Sequence, residues 1–260
     1  MITSLTNAAV KRIVLLQAKE RSRREEGLFI IEGVRMFMEA PNWRINDVYV
    51  TEEFLNHISE DVREKLSETG YEVVSSEVMI KMSDTTSPQG VLCTIKSLEY
   101  DLSQILQSGS LFILLDGLQD PGNLGTIFRT SEAAGVDGII LSRDCVSIYN
   151  PKSVRSTMGT LFRMPFVYVD DMVLAMDEMK AIGVSTYAAH LKGKKDYDEF
   201  DYKAPTAFII GNEGAGISEK VAENADNYLK IPMEGNVESL NAAIAASVLL
   251  YESHRQRKSL

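Results

Sequence analysis

Three uninterrupted apolar runs restrict the folds open to this chain: LFILL at 111–115, GIIL at 138–141 and TAFII at 206–210. A strand with one wet face alternates polar and apolar residues. A continuous run is instead buried on both faces, as in a parallel sheet covered by helices. Helical segments fall between and after these runs, at 124–134, 152–161, 171–182 and 217–224, each ended by glycine, a turn or a strand. Alternating strands and helices imply an α/β fold with a mostly parallel sheet. Ligands of such sheets bind outside the carboxyl ends of the strands. Three polar, glycine-bearing loops sit at such ends: after Leu118, after Ile210 and after Ile231.

The last of these loops leads into the most unusual stretch, YLKIPMEGNVESLNAAIAASVLLYE at 228–252. A short strand at 229–231 is followed by a polar loop and then by an alanine-rich helix read as starting at Ser239. Alanine is the best helix former. Up to Glu252 the helix has no polar face of the kind a surface helix carries, so it is expected to be packed on all sides. Ser239 explains a helix cap, whereas Asn241, inside the first turn on this reading, is left without a structural reason. Plain scaffold remains the competing account of a strand, turn and helix.

The first 97 residues read as a smaller α/β unit. A helix is expected over 3–24, capped by Thr6 or Asn7, with Val10, Ile13 and Val14 at helical spacing. Strands follow at 28–31, 45–50, 71–74 and 90–95, with helices at 34–40, 52–69 and 76–82. Residues 98–109 read as a polar linker, and 110–260 as a second domain.

Composition excludes several classes. No apolar run approaches the roughly 18 residues of a membrane span, and MITSLTNAAVKRIVLL has no signal-peptide layout. Cys93 and Cys145 stand alone in apolar runs and read as buried thiols of a reducing, cytoplasmic protein. No metal-ligand spacing links them to His57, His190 or His254, so no metal is expected. The net charge of −10 argues against a nucleic-acid partner, but charge distribution outweighs the sum. Lys11, Arg12, Lys19, Arg21, Arg23, Arg24 and Arg35 crowd one end. Lys152, Arg155 and Arg163 form a second group, and Arg255, Arg257 and Lys258 a third. Each group is either a solvated helix face or an RNA-facing patch.

IIGNEGAGIS suggests a dinucleotide loop and fails on spacing. Its glycines are Gly211, Gly214 and Gly216, not in G-x-G-x-x-G order, and Glu213 would repel a pyrophosphate. This disfavours a nucleotide-dependent oxidoreductase. A less anionic ligand, such as an adenosine bearing a cationic sulfonium, tolerates that carboxylate. Arg129 follows Asn123 by six residues, about 600° around a helix, so the two do not stack on one face. Taken alone, Arg129 reads as a surface or ion-paired arginine.

LLDGLQDPGNLGTIFRTSEAAGVDGIIL, IIGNEGAGIS and IPMEGNVESLNAAIAASVLLYE, in this order, resemble the three motifs of the SpoU (TrmH-like) RNA ribose methyltransferases of the SPOUT class. The N-terminal region, with TNAAVKRIVLL and FIIEGVRMFMEA, resembles the ribosomal-protein-like RNA-binding domain often attached to them. The resemblance implies a C-terminal domain tied in a deep trefoil knot, a topology otherwise nearly absent, and a homodimer. It implies S-adenosyl-L-methionine held by Gly211, Ile231, Leu240, Met233 and Asn241. It implies catalytic positions at Arg129, Asn123, Glu213, Ser239 and Asn241, with structured RNA as substrate, ribosomal above transfer RNA. The family proposal makes the arginine a base. A guanidinium does not deprotonate in proteins, so Arg129 is expected instead to hold the adjoining phosphate. The alternative is an RNA-binding assembly factor of the same fold without catalysis. Retention of Asn123, Arg129, Glu213, Ser239 and Asn241 together disfavours it.

Overall fold

The computed structural model describes residues 1–258; the last two residues of the expected 110–260 domain lie outside the described residues. The chain divides into two compact units. One holds residues 1–98 and 147–162, the other 99–146 and 163–260.

The first unit begins with α1 (Ala8–Ala18), α2 (Glu20–Glu26), β1 (Leu28–Glu32) and α3 (Val34–Glu39). It continues with β2 (Ile45–Thr51), α4 (Glu52–Leu55), α5 (Glu60–Thr69), β3 (Glu72–Val74), α6 (Ser76–Met82) and β4 (Val91–Lys96). The strands form a mixed sheet in the order β1-β4-β2-β3, antiparallel except for β2 with β3. Val10, Ile13 and Leu16 of α1 pack with Val78, Met79 and Met82 of α6 over Ile30 and Leu92. The Asn7 side chain caps α1 through the Ala9 N–H at 2.8 Å.

Two helices expected whole are broken. The 3–24 helix stops where Lys19 takes an extended conformation. Arg23 is buried and donates from one nitrogen to the Leu16 and Gln17 carbonyls, at 2.8 and 3.1 Å. Those are the carbonyls a helix end leaves without partners. The 52–69 helix divides into α4 and α5, with Ser59 as the N-cap of the second.

The second unit carries α7 (Leu102–Ser108), β5 (Leu111–Leu115), α8 (Pro121–Ala134) and β6 (Gly138–Ser142). Residues 147–162, including α9 (Pro151–Thr157), then belong to the first unit, where α9 packs on β1 and Tyr149 stacks on Phe29 with centroids 4.7 Å apart. The chain resumes with β7 (Phe166–Val169), α10 (Met172–Ala181), β8 (Ser185–Ala189), β9 (Lys195–Asp196) and β10 (Thr206–Ile210). It ends with α11 (Glu219–Glu223), β11 (Asn227–Lys230) and α12 (Ala242–Arg257). The seven strands are all parallel, in the order β7-β6-β5-β10-β8-β11-β9. The three apolar runs form β5, β6 and β10 at its centre, every residue buried.

Helix α12 starts beside α8 at the carboxyl ends of the strands, where Asn241 bonds Asn123. It finishes at their amino ends. There Arg257 donates to the carbonyls of Tyr202, Ser110 and Ala204 and to the Ser110 hydroxyl, at 2.8 to 2.9 Å. The expectation of a helix packed on all sides is corrected: Ile244 is 54% and Tyr251 50% exposed. One stripe faces β10 and α8, and Ala242, Ala243 and Ala246 are the buried alanines of the helix. The basic groups are also less free than their spacing suggested. Arg23 and Arg257 point inward, and Arg12, Arg155, Arg163 and Arg255 pair with Glu26, Asp84, Glu132 and Glu252.

Candidate functional site

Residues Asn212 to Gly216 form a closed loop beyond β10. The two exchange N–H···O bonds of 2.9 Å, and the Asn212 side-chain oxygen accepts from the Gly214 and Ala215 N–H groups. The Asn212 amide then donates to the Gly117 carbonyl at 2.8 Å, fastening the loop to the one after β5. Gly211 lies so close beneath that a Cβ there would collide with the Gly216–Ile217 peptide. The glycines serve this tight closure and not a diphosphate.

Glu213 projects from the same loop to the start of α8. Its carboxylate accepts the N–H groups of Gln119 and Asp120 at 3.0 and 2.9 Å, and the Asn123 amide at 2.9 Å. Burial pushes the Glu213 carboxyl up, but these hydrogen bonds outweigh it and leave it below the usual carboxylate range. The Asn123 oxygen in turn accepts from the Asn241 amide at 3.0 Å. The Asn241 oxygen caps α12 through the N–H groups of Ala243 and Ile244. Asn241 is thus the N-cap itself and Ser239 is not: α12 begins three residues later than the sequence suggested. The chain Glu213–Asn123–Asn241 binds all three glycine-bearing loops together.

Beside this chain lies a cleft of about 310 Å³, a size suited to small-molecule ligands. Its wall comes from 210–217 beyond β10, 229–231 at the end of β11, the 233–240 loop, and Ala242 and Ala245 of α12. Gly211, Ile231, Met233, Leu240, Glu213 and Ser239 all line it. Asn123, Asn241 and Arg129 do not. Arg129 is exposed on α8 and its guanidinium has no ion pair or hydrogen bond among the described residues. Ser239 is exposed and likewise unbonded.

Sequence reasoning missed Asn212, which organises the loop, and Ala189, His190 and Leu191, which supply a further wall. The signal for Asn212 was its place directly after Gly211. None existed for 189–191, because the adjacency of β8 to both β10 and β11 is a property of strand order. A roomier hollow of about 500 Å³ in the first unit, between Phe54, His57, Met79 and the 86–90 turn, gathers none of the motif residues. Among the described residues no cluster of three or more His, Cys, Asp or Glu could hold a metal ion, and no helix is long and apolar enough to cross a membrane.

A parallel α/β unit with three tethered loops around a cleft at its strand ends defines a ligand-binding site of the small-molecule type. The SpoU rRNA methylase family model matches residues 110–251, and the chain belongs to that family. An MRM3-like substrate binding domain matches residues 7–93. Among relatives, the 23S rRNA (guanosine(2553)-2′-O)-methyltransferase RlmP of Bacillus subtilis is 33% identical, over 96% of this chain and 97% of its own. The AdoMet-bound rRNA methyltransferase of Sinorhizobium meliloti superposes with a TM-score of 0.86 at 33% identity, covering 98% and 97% of the two chains. The SpoU methyltransferase AviRb of Streptomyces viridochromogenes, in complex with AdoMet, gives a TM-score of 0.87 at 30% identity, covering 97% and 99%.

Proposed function

We propose that this protein transfers a methyl group from S-adenosylmethionine to a ribose 2′-hydroxyl of RNA, with ribosomal RNA preferred over transfer RNA. The observation that carries this is the Glu213–Asn123–Asn241 chain, which ties three loops from distant parts of the sequence together beside one cleft. The cleft fits the cofactor's chemistry. Its floor is small and apolar at Ala242 and Ala245, and its lining carries two carboxylates, Glu213 and Glu238, against the single lysine Lys230. When bound, S-adenosylmethionine supplies an electrophilic sulfonium methyl.

In this reading Gly211, Ile231, Met233 and Leu240 hold the cofactor. Asn123, Glu213 and Asn241 act by fixing the loops, and Ser239 faces the ligand from the rim. The ribose oxygen forms a bond to the methyl carbon as the carbon–sulfur bond breaks, and S-adenosylhomocysteine leaves. Arg129, with its free guanidinium, binds the phosphate next to the target ribose and polarises the hydroxyl, whose proton passes to that phosphate. Orientation supplies most of the rate. Residues 1–97 serve to bind RNA, 98–109 as a linker and 110–260 as the methyltransferase domain. The 231–241 segment and α12 form the knotted part of the chain, a reading supported by the Asn241–Asn123 bond that ties the end of this segment to the start of α8. The enzyme works as a cytoplasmic homodimer without a metal ion. The apolar stripe on α12 formed by exposed Ile244 and Tyr251 with partly buried Val248 between them supports the dimer.

The preference for ribosomal RNA rests on the relatives named above. The test compares ribose-methylation maps of ribosomal and transfer RNA from cells with and without the gene, alongside calorimetry with S-adenosylmethionine. One ribosomal site lost with the gene, together with micromolar binding, is the expected result. No binding heat and unchanged maps would leave a non-catalytic RNA-binding factor in its place.

A further inference from the structure

The chain has one tryptophan, Trp43, and it is turned outward, 69% exposed. Tryptophan is ordinarily among the most buried side chains on average. Nothing about its backbone is loose. Trp43 lies in a 3-10 turn, Asn42–Arg44, entered through Pro41, and the Arg44 N–H closes it on the Pro41 carbonyl at 2.9 Å. Asn42 is tied to Glu68 at 2.5 Å. One face of the indole is already taken. The Arg44 guanidinium carbon stands 4.2 Å from the ring centroid, and an Arg44 nitrogen donates to the Ser97 carbonyl at 2.8 Å. That bond holds the cation on the ring. No carboxylate neutralises Arg44 among the described residues, although the chain as a whole is acidic.

We infer that Trp43 and Arg44 form a stacking platform for one unpaired nucleobase of the RNA substrate. The inference rests on the RNA reading above and adds to it a contact residue and the single-stranded character of what is bound there. The open indole face suits a planar aromatic ring, and Arg44 keeps unused N–H donors for the phosphate of the same nucleotide. Unpaired bases splayed from loops and bulges are what aromatic side chains take up from RNA. Stacking on the open face is tolerant of base identity, because every base has a π face. Trp43 also lies inside the 7–93 segment that matches a substrate binding domain. A protein partner docking on the indole is the rival outcome, and it would leave the chain's affinity for the oligoadenylate and the abasic strand equal.

The test uses the full chain and its single tryptophan as the reporter. Titration with an oligoadenylate of about ten nucleotides should quench the fluorescence saturably, while an abasic strand of equal length and charge binds roughly 10-fold more weakly, the loss expected for one stacked base. By anisotropy of labelled RNA, Trp43→Phe should bind within about 3-fold of the native chain, and Trp43→Ala about 10-fold more weakly. S-adenosylmethionine binding and circular dichroism should be unchanged in both. With the RNA substrate, Trp43→Ala should raise KM and leave kcat alone. Absence of quenching, equal binding of the abasic strand, or native affinity in Trp43→Ala overturns the platform. If the native chain methylates RNA and Trp43→Ala does so with the same kcat/KM, the platform fails and the methyltransferase reading stands. If the native chain methylates no RNA but Trp43→Ala weakens binding of the labelled RNA about 10-fold, the reverse holds.

Discussion

Glu213 and Asn123, ninety residues apart in sequence, hold one another at 2.9 Å, and the same carboxylate takes the backbone N–H groups of Gln119 and Asp120. One ionised group therefore closes the loop after β10 onto the start of α8. Its charge is what the donors address, since hydrogen bonds to ionised acceptors are roughly twice as strong as neutral ones. Glu213→Gln keeps the shape but turns an N–H₂ group toward donors. Affinity for S-adenosylmethionine should fall about 10-fold, the equivalent of one such bond. Calorimetry on the purified variant checks this, and an unchanged Kd would mean the loop closes without the charge.

Acid should act through the same group. Burial raises the Glu213 carboxyl, the Asn123 side chain and the backbone donors together lower it more, and the net value is depressed on folding. A depressed carboxylate contributes stability that is complete above the ordinary glutamate value near pH 4.3 and is lost as pH falls through the lower folded value. In Glu213→Gln that part of the acid dependence is absent. Urea midpoints of native and variant chains should therefore converge as pH drops from about 5 toward 3. Parallel curves over that range would show that the carboxylate is not linked to folding.

Asn241 has two separable duties, and two substitutions divide them. Its oxygen caps α12 and its amide nitrogen reaches Asn123. Asn241→Ser keeps a capping oxygen and drops the bridge, whereas Asn241→Ala drops both. The alanine variant should lose about 1 kcal/mol more of stability than the serine variant. Both should bind S-adenosylmethionine more weakly by a similar factor, because both lose the bridge. Equal unfolding midpoints for the two in a denaturant titration would count against the cap.

The sequence exposed the strand-end loops and hid how they meet. The runs at Leu111, Gly138 and Thr206 read correctly as doubly buried strands because their pattern depends only on local burial. Convergence of the loops at Gly211, Ile231 and Leu240 followed from the family resemblance, since no local pattern reports which strands are neighbours. That is why His190 and Leu191 went unnoticed: β8 lies between β10 and β11 in the sheet but precedes both in the chain. The same limit hid the 147–162 excursion, whose Asn150-Pro151 start looks like any helix entry. Arg23 and Arg257 read as surface charge in the sequence because composition carries no direction. Their guanidinium groups in fact close helix and strand ends over backbone carbonyls.

The role proposed for Arg129 separates from that of a base by one conservative change. Arg129→Lys retains a cation and gains a group able to lose its proton, but lacks the planar fork that grips a phosphate in two places. If Arg129 is a clamp, the variant should lose about 100-fold in kcat, roughly the cost of one removed electrostatic donor. Its S-adenosylmethionine affinity should be unchanged, because Arg129 does not line the cleft. Single-turnover methylation at saturating RNA, followed across pH, checks this. Near-native turnover that rises with pH would restore the base.

The exposed stripe on α12 tests the homodimer independently of catalysis. Ile244, Val248 and Tyr251 recur at spacings of four and three, so they share one helix face, and the first and last are half exposed. Apolar side chains aligned in this way on an exposed helix face suit burial against a second copy. Replacing both Ile244 and Tyr251 by glutamate puts charges where the partner helix would pack, and desolvating them costs more than such a face can return. Light scattering at micromolar concentration should show the native chain as a dimer and the double variant as a folded monomer. Ile244 meets the Glu213–Asn123–Asn241 chain only through its backbone N–H to Asn241, which glutamate keeps, so S-adenosylmethionine binding that survives in the monomer would mean the cofactor cleft is complete within one chain. Binding lost on dissociation would mean the partner stiffens the 233–240 loop. A native chain that scatters as a monomer at every concentration would remove the dimer from the proposal altogether.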